Sequence, residues 1–256
     1  FSVTSLLPNS PNQKVFIWNN FYDEEDGCLE FKEVVRCVCI RKKVLVIVLT
    51  DSVCLYDIQN HRYTGFEQIT FHNLSGACDV SFNEDNPKIA ICGLTPGAVQ
   101  IFSENEDSLP IFFSAHIHPI SIIKLSSDSR FIATASEQGT IIRVFDGISG
   151  SLRCVFRRGN LKSKILAMCF SPDNKKLLAI SQNGTLHLFD TETQQSSEEN
   201  PVKSISKLSL NQATCYEISY QNDNEIVIIS SSGIITKIRC CDLKLTLIGN
   251  QLALSH

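Results

Sequence analysis

The sequence predicts an all-β fold, a seven-bladed β-propeller of the WD-repeat type with its first blade incomplete, on three observations. One block of sequence recurs at a spacing of 45 residues. Each copy is a set of short apolar runs of strand length, split by turn residues. Apolar stripes of helical period with capping residues are missing throughout. A period of about 40–50 residues with several short strands per unit signals radially arranged four-stranded blades.

The strands follow in chain order. KVFIWNN, from Lys14, reads as the inner half of a blade. CVCIRKKVLVIVLTDSVCLYD, from Cys37, has the repeat's layout with a tighter first turn. SFNEDNPKIAICGLTPGAVQIFS, from Ser81, is a weaker copy, and SYQNDNEIVIISSSGIITKI, from Ser219, is another. The two best copies are LSSDSRFIATASEQGTIIRVFD (Leu125 to Asp146) and FSPDNKKLLAISQNGTLHLFD (Phe170 to Asp190). Both run strand, Ser-x-Asp turn, strand, Ser-x-x-Gly-Thr turn, strand. Gly139 and Gly184 suit turns that need positive φ. The units centre near residues 47, 92, 135, 180 and 228 and form one domain spanning 1–256. A seventh blade is expected before Phe1 or closed by the two termini together. The acidic run Asp23 to Asp26 and the stretch Thr191 to Asn200 read as solvated loops, and Lys175 and Lys176 as decoration of a hairpin turn.

Composition narrows the function. The chain is 256 residues long, 43% hydrophobic and 20% charged, enough for a substantial core. The longest apolar run, Val44 to Leu49, is far short of the roughly 18 residues that span a bilayer. Nothing resembles a secretion signal, and a start at Phe1 without Met reads as a fragment. Eleven cysteines, an odd number without a framework spacing, read as buried thiols of a reducing cytosol. They offer no metal motif, and no cofactor is expected.

The net charge of −4 argues against nucleic-acid binding, yet the charge is unevenly placed. Ile141 to Lys176 holds eight basic residues against Asp146 and Asp173, a net +6, so the remainder carries −10. One basic face on an acidic body predicts a local anionic partner.

Arg157 and Arg158 lie at the centre of that face. Successive strand residues point to opposite sides, so one arginine serves the cleft of its own blade and the other the next. The guanidinium fork gives paired hydrogen bonds to phosphate, and Gly159 frees the chain to turn. The repeat supplies hydroxyls and cations for each. Ser136, Thr140 and Arg143 stand on one side. Ser181, Thr185 and His187 stand on the other, with His187 in the place of Arg143. The four hydroxyls also suit a purely local role in their turns. Lys162 and Lys164 add attraction to an anionic surface, about 1 kcal/mol each. If His187 acts as imidazolium, its pocket weakens as pH rises through the histidine range. His118 reads as a turn residue; His61, His72 and His256 have no company suggesting chemistry.

Phe156-Arg157-Arg158-Gly159, with SAHIHPISI and ATASEQGTIIRVFD before it, resembles the PROPPIN family of phosphoinositide-binding β-propellers, which includes the WIPI proteins. SPNQKVFIWNN resembles the proline-containing segment that precedes a Trp strand in that family. The resemblance implies two headgroup sites on one rim, with His116 lining the first. It also implies binding of phosphatidylinositol 3-phosphate or 3,5-bisphosphate and a protein partner from the lipid-transfer or conjugation machinery of autophagy. That partner would dock away from the rim, near Asn19 to Tyr22. The location implied is cytoplasmic and peripheral on preautophagosomal, endosomal or vacuolar membranes. The sequence departs from the family in DTETQQSSEENPVKS (Asp190 to Ser204), where members carry a long, partly hydrophobic, membrane-dipping loop. Attachment here then rests on headgroups and basic residues, or part of the loop is absent. The alternative function is a generic WD-repeat scaffold for an acidic peptide or protein. Enzyme activity is not expected, because no nucleophile-base order or paired carboxylates emerge.

Overall fold

The computed structural model describes residues 2–4, 13–41, 44–82, 87–103, 109–192, 196–210, 215–241 and 243–252. Those residues form twenty-four strands and no helix. Chain contacts divide it into two compact units, 1–120 and 121–256.

The first unit holds three antiparallel sheets. The first is β1 (Ser2–Thr4), β2 (Lys14–Asn19) and β3 (Glu24–Glu30), with β2 central. Next come β4 (Cys37–Arg41), β5 (Val44–Val48), β6 (Ser52–Asp57) and β7 (Arg62–Ile69) in chain order. Third are β8 (Cys78–Val80), β9 (Lys88–Cys92), β10 (Ala98–Ser103) and β11 (Ile111–Ser114). Period-2 alternation turns apolar residues toward neighbouring sheets. Val15 and Ile17 meet Leu45, Ile47 and Tyr56; Val46 and Leu55 meet Val80, Ile89 and Ile91.

The second unit repeats the pattern. Its first sheet contains β12 (Ile120–Leu125), β13 (Phe131–Ser136), β14 (Ile141–Asp146) and β15 (Leu152–Arg157). The next has β16 (Ile165–Phe170), β17 (Lys176–Ser181) and β18 (Thr185–Asp190). The chain then departs from simple succession. β19 (Val202–Lys203) crosses to the preceding sheet and pairs in parallel with β15, whereas β20 (Ser206–Ser209) completes the sheet of β18. The last sheet is β21 (Tyr216–Asn222), β22 (Glu225–Ser230), β23 (Ile234–Cys241) and β24 (Lys244–Leu252). Between the first two sheets Phe156 stacks on Phe189 at 4.8 Å, both fully buried among Ala133, Ile142 and Leu177. Burying one such side chain stabilises by about 1.5–3 kcal/mol.

The repeat reappears as hydrogen bonds. Ser126 and Ser171 donate from their hydroxyls to Asp128 and Asp173, at 2.7 and 2.5 Å. The same carboxylates accept from the backbone N–H of Arg130 and Lys175. Each expected unit centre falls within its own sheet.

Three expectations need correction. Glu24, Glu25 and Asp26 belong to β3 rather than a loop, since an edge strand can hold charges while its backbone pairs with β2. Thr191 to Asn200 is not simply a solvated linker: Ser196 and Glu198 are bonded to the preceding sheet. The cysteines form no disulfide among the described residues, but Cys28, Cys215 and Cys241 are exposed. Alternation explains one of these directly, because Cys240 points inward and Cys241 therefore outward. Residues 42–43 and 83–86, where the sequence predicts turns, residues 10–12 of the proline-containing segment, residues 193–195 and His256 lie outside the described residues.

Candidate functional site

Ten of the eleven anticipated site residues belong to the second unit. His116 belongs to the first, where it is buried and its N–H donates to the Gly97 carbonyl. A Cβ at Gly97 would lie 1.8 Å from the His116 carbonyl, so that contact requires glycine.

Strand register assigns the others to faces. Ile141 pairs with Arg157, Arg143 with Val155 and Thr134 with Arg143. Paired residues share a face and alternate residues repeat it. Arg143, Arg157 and Ser136 therefore share one face of the β12–β15 sheet. The opposite face, with Ala135, Ile142, Cys154 and Phe156, is core. Parallel pairing adds Lys203, exposed and directly opposite Arg157.

Arg157 is half-buried and has no side-chain hydrogen bond or ion pair to another described residue. Arg143 differs. Its Nε and Nη2 donate to the two carboxylate oxygens of Glu198, each at 2.6 Å. Arg143, expected as a headgroup ligand, thus holds a carboxylate on its fork.

Arg158, one residue past β15, turns to the other side. Its N–H continues the ladder by donating to the Thr140 carbonyl. The guanidinium is buried; its Nε donates to the Gly139 carbonyl at 2.9 Å and Nη2 to those of Leu161 and Ser163 at 2.6 and 3.1 Å. Burial pushes its pKa down. Arg158 therefore fastens the 136–140 turn to the 161–163 turn. Gly139, at φ +62°, makes the approach possible, since a Cβ there would meet the Ser163 carbonyl at 1.9 Å. Only Nη1 of Arg158 lacks a partner among the described residues.

His187 lies on the face of β17–β18 that carries Ala179 and Phe189, and Lys207 of β20 pairs with it. It is buried, with Nδ1 3.4 Å from the Ser204 hydroxyl. Burial, then the charges of Lys207 and Arg158, push its pKa down to about 4. This runs against the imidazolium expectation, since a ring with that pKa is uncharged at neutral pH. The Ser181 hydroxyl donates to the Thr185 carbonyl at 3.3 Å, the local turn role open to it from sequence. Lys162 and Lys164 line an open cleft of about 390 Å³ with Glu137, Ser163 and Gln182.

Sequence reasoning missed three residues here. Lys207 had a signal in the alternation Lys207-Leu208-Ser209-Leu210, which sends leucines inward and the lysine to the His187 face. Lys203 and Glu198 had none, because β19 joins a sheet other than that of its sequence neighbours. Among the described residues no cluster of three or more His, Cys, Asp or Glu could hold a metal ion. No helix among them is long and apolar enough to cross a membrane.

Autophagy-related protein 18e of Arabidopsis thaliana is 32% identical over 179 residues, covering 70% of this chain and 47% of the relative. Autophagy-related protein 18 of Aspergillus oryzae is 35% identical over 195 residues, covering 67% and 47%. The chain thus spans about half the length of the curated relatives it matches. Kluyveromyces lactis Hsv2 superposes with a TM-score of 0.80 at 19% identity, covering 94% of this chain and 81% of that one. The KlAtg21 structure solved with the coiled-coil of AgAtg16 gives 0.79 at 22% identity, covering 94% and 77%. These likenesses establish the β-propeller fold. The PROPPIN family model matches residues 20–226, and the chain belongs to the PROPPIN family.

Proposed function

We propose that this chain binds phosphoinositide headgroups, phosphatidylinositol 3-phosphate or 3,5-bisphosphate, at two sites on either side of the Arg157-Arg158 pair. The observation that carries the reading is Arg157: a guanidinium without a partner among the described residues, with Lys203 opposite and Ser136 on the same face. A phosphate between Arg157 and Lys203 meets two cations, the donors it needs, and the Ser136 hydroxyl lies two strands away on the same face. Across the strand, Nη1 of Arg158 joins Lys207, His187 and Thr185 around the second site. His187 contributes as a neutral hydrogen-bonding ring, and Lys162 and Lys164 supply attraction toward an anionic surface. The protein acts without catalysis, peripherally on the cytoplasmic face of preautophagosomal, endosomal or vacuolar membranes. There it brings an autophagy protein partner to the lipid.

Flotation with phosphatidylcholine vesicles carrying each phosphoinositide in turn tests this. Wild type is expected to float with 3-phosphorylated lipids. Arg157→Thr should float less, and an Arg157→Thr/Arg158→Thr pair should not float while retaining its β circular-dichroism spectrum. A folded double variant that floats like wild type removes the reading. The second reading, a scaffold for an acidic peptide, draws on Glu198, because that face already accepts one carboxylate. A chain that ignores every phosphoinositide but captures a Glu-rich peptide through Arg157 would favour it.

A further inference from the structure

The segment from Ser196 to Lys203 leaves its own sheet and closes along the outer edge of β15. It is held at three points. The Val155 N–H donates to the Ser196 hydroxyl at 2.5 Å, and that hydroxyl donates to the Val155 carbonyl at 2.6 Å. Glu198 takes both donors of Arg143, the register partner of Val155. Val202 and Lys203 then pair with Phe156 and Arg157. The strap thus brackets Arg157 and sets a carboxylate on the nearest guanidinium of the same face.

We propose that Glu198 is a built-in competitor for headgroup phosphate, and that Arg143 beneath it distinguishes headgroups with two ring phosphates from those with one. This rests on the phosphoinositide reading above. A single phosphate seated on Arg157 and Lys203 leaves the Arg143–Glu198 pair intact. A second phosphate lies within reach of the diagonal neighbour Arg143, and to bond it must displace Glu198. The exchange is feasible because a phosphate monoester carries about −1.5 to −2 charges against one on the carboxylate. The Glu198 side chain is also 54% exposed, so solvent receives it once released. Arg143, 19% exposed, keeps its place on β14 in either state. Ser196 and the Val202–Lys203 pairing hold the strap nearby, so the carboxylate returns when the second phosphate leaves.

The test compares the whole chain with Glu198→Gln, Arg143→Thr and the double variant. Each is titrated with phosphatidylcholine vesicles containing phosphatidylinositol 3-phosphate, the 3,5-bisphosphate, or phosphatidylserine at matched charge. Glu198→Gln keeps the shape and removes the charge. It should tighten bisphosphate binding by about 3–5-fold and change monophosphate binding by less than about 2-fold, the scale of a half-exposed charged pair. Arg143→Thr should lose the bisphosphate preference, and the double variant should match Arg143→Thr. An unchanged bisphosphate-to-monophosphate ratio in Glu198→Gln overturns the inference. So does a gain that survives in the Arg143→Thr background or appears equally on phosphatidylserine, since removal of any negative charge would do the same. Absence of phosphoinositide binding in every chain sinks the functional reading itself; binding by wild type with an indifferent Glu198→Gln sinks only this inference.

Discussion

The Arg158 guanidinium and the Gly139 carbonyl are joined by a 2.9 Å hydrogen bond that ties the end of one blade to its own hairpin turn. The Leu161 and Ser163 carbonyls complete the tie. Removing it strands three backbone acceptors. Arg158→Ala should cost about 2–4 kcal/mol, since hydrogen bonds to a charged group are among the stronger ones. Gly139→Ala should cost about 2 kcal/mol or more, because its positive φ and the 1.9 Å approach both oppose a side chain. Urea unfolding followed by circular dichroism measures both. Wild-type stability in either variant would contradict the structural role.

His187 makes stability depend on pH. Its folded pKa of about 4 lies below the ordinary 6.5. The unfolded chain therefore binds a proton that the folded chain refuses, and stability rises with pH across that interval. The contribution is fully present above about pH 6.5 and falls away as pH drops toward 4, by up to about 3 kcal/mol. Urea midpoints at pH 7.5 and 5 should show the loss. His187→Gln, which keeps a polar side chain but does not titrate, should flatten it. Lipid binding, by contrast, should not weaken between pH 6 and 8 through this ring.

Phe156 and Phe189 form the stacked centre of the layer behind the arginines. Truncating either opens a cavity that close-packed neighbours fill only in part. Phe156→Ala should cost about 3–5 kcal/mol and Phe156→Leu appreciably less. Thermal unfolding midpoints provide the comparison.

Arg157 and Lys203 should behave in the opposite way. Neither holds another described side chain, so Arg157→Thr and Lys203→Ser should shift stability by no more than about 0.5 kcal/mol. Each should nevertheless weaken vesicle binding, and the loss should shrink as salt is raised, because screening already removes part of the attraction. A large drop in melting temperature for Arg157→Thr would assign it to the scaffold instead.

The repeat was plain in the linear order of residues because propeller blades are local. Ser126 to Asp128 and Ser171 to Asp173 build their turns from side chains two positions apart, and Phe131–Asp146 pairing spans a single hairpin. The opposite facing of Arg157 and Arg158 was equally legible, since alternation along a strand is a property of the backbone.

Other features depended on where distant segments meet. Nothing near Arg143 announces Glu198, 55 positions away. Lys203 reaches Arg157 only because β19 joins the sheet before its own. Whether a guanidinium is buried on carbonyls, as Arg158 is, or left available, as Arg157 is, turns on the turns packed against it. The charge of His187 is likewise set by burial, with Lys207 and Arg158 adding to it. Strand period and turn chemistry are short-range and can be read along the chain. Desolvation and pairing between charges are sums over neighbours in space, and only folding selects those neighbours.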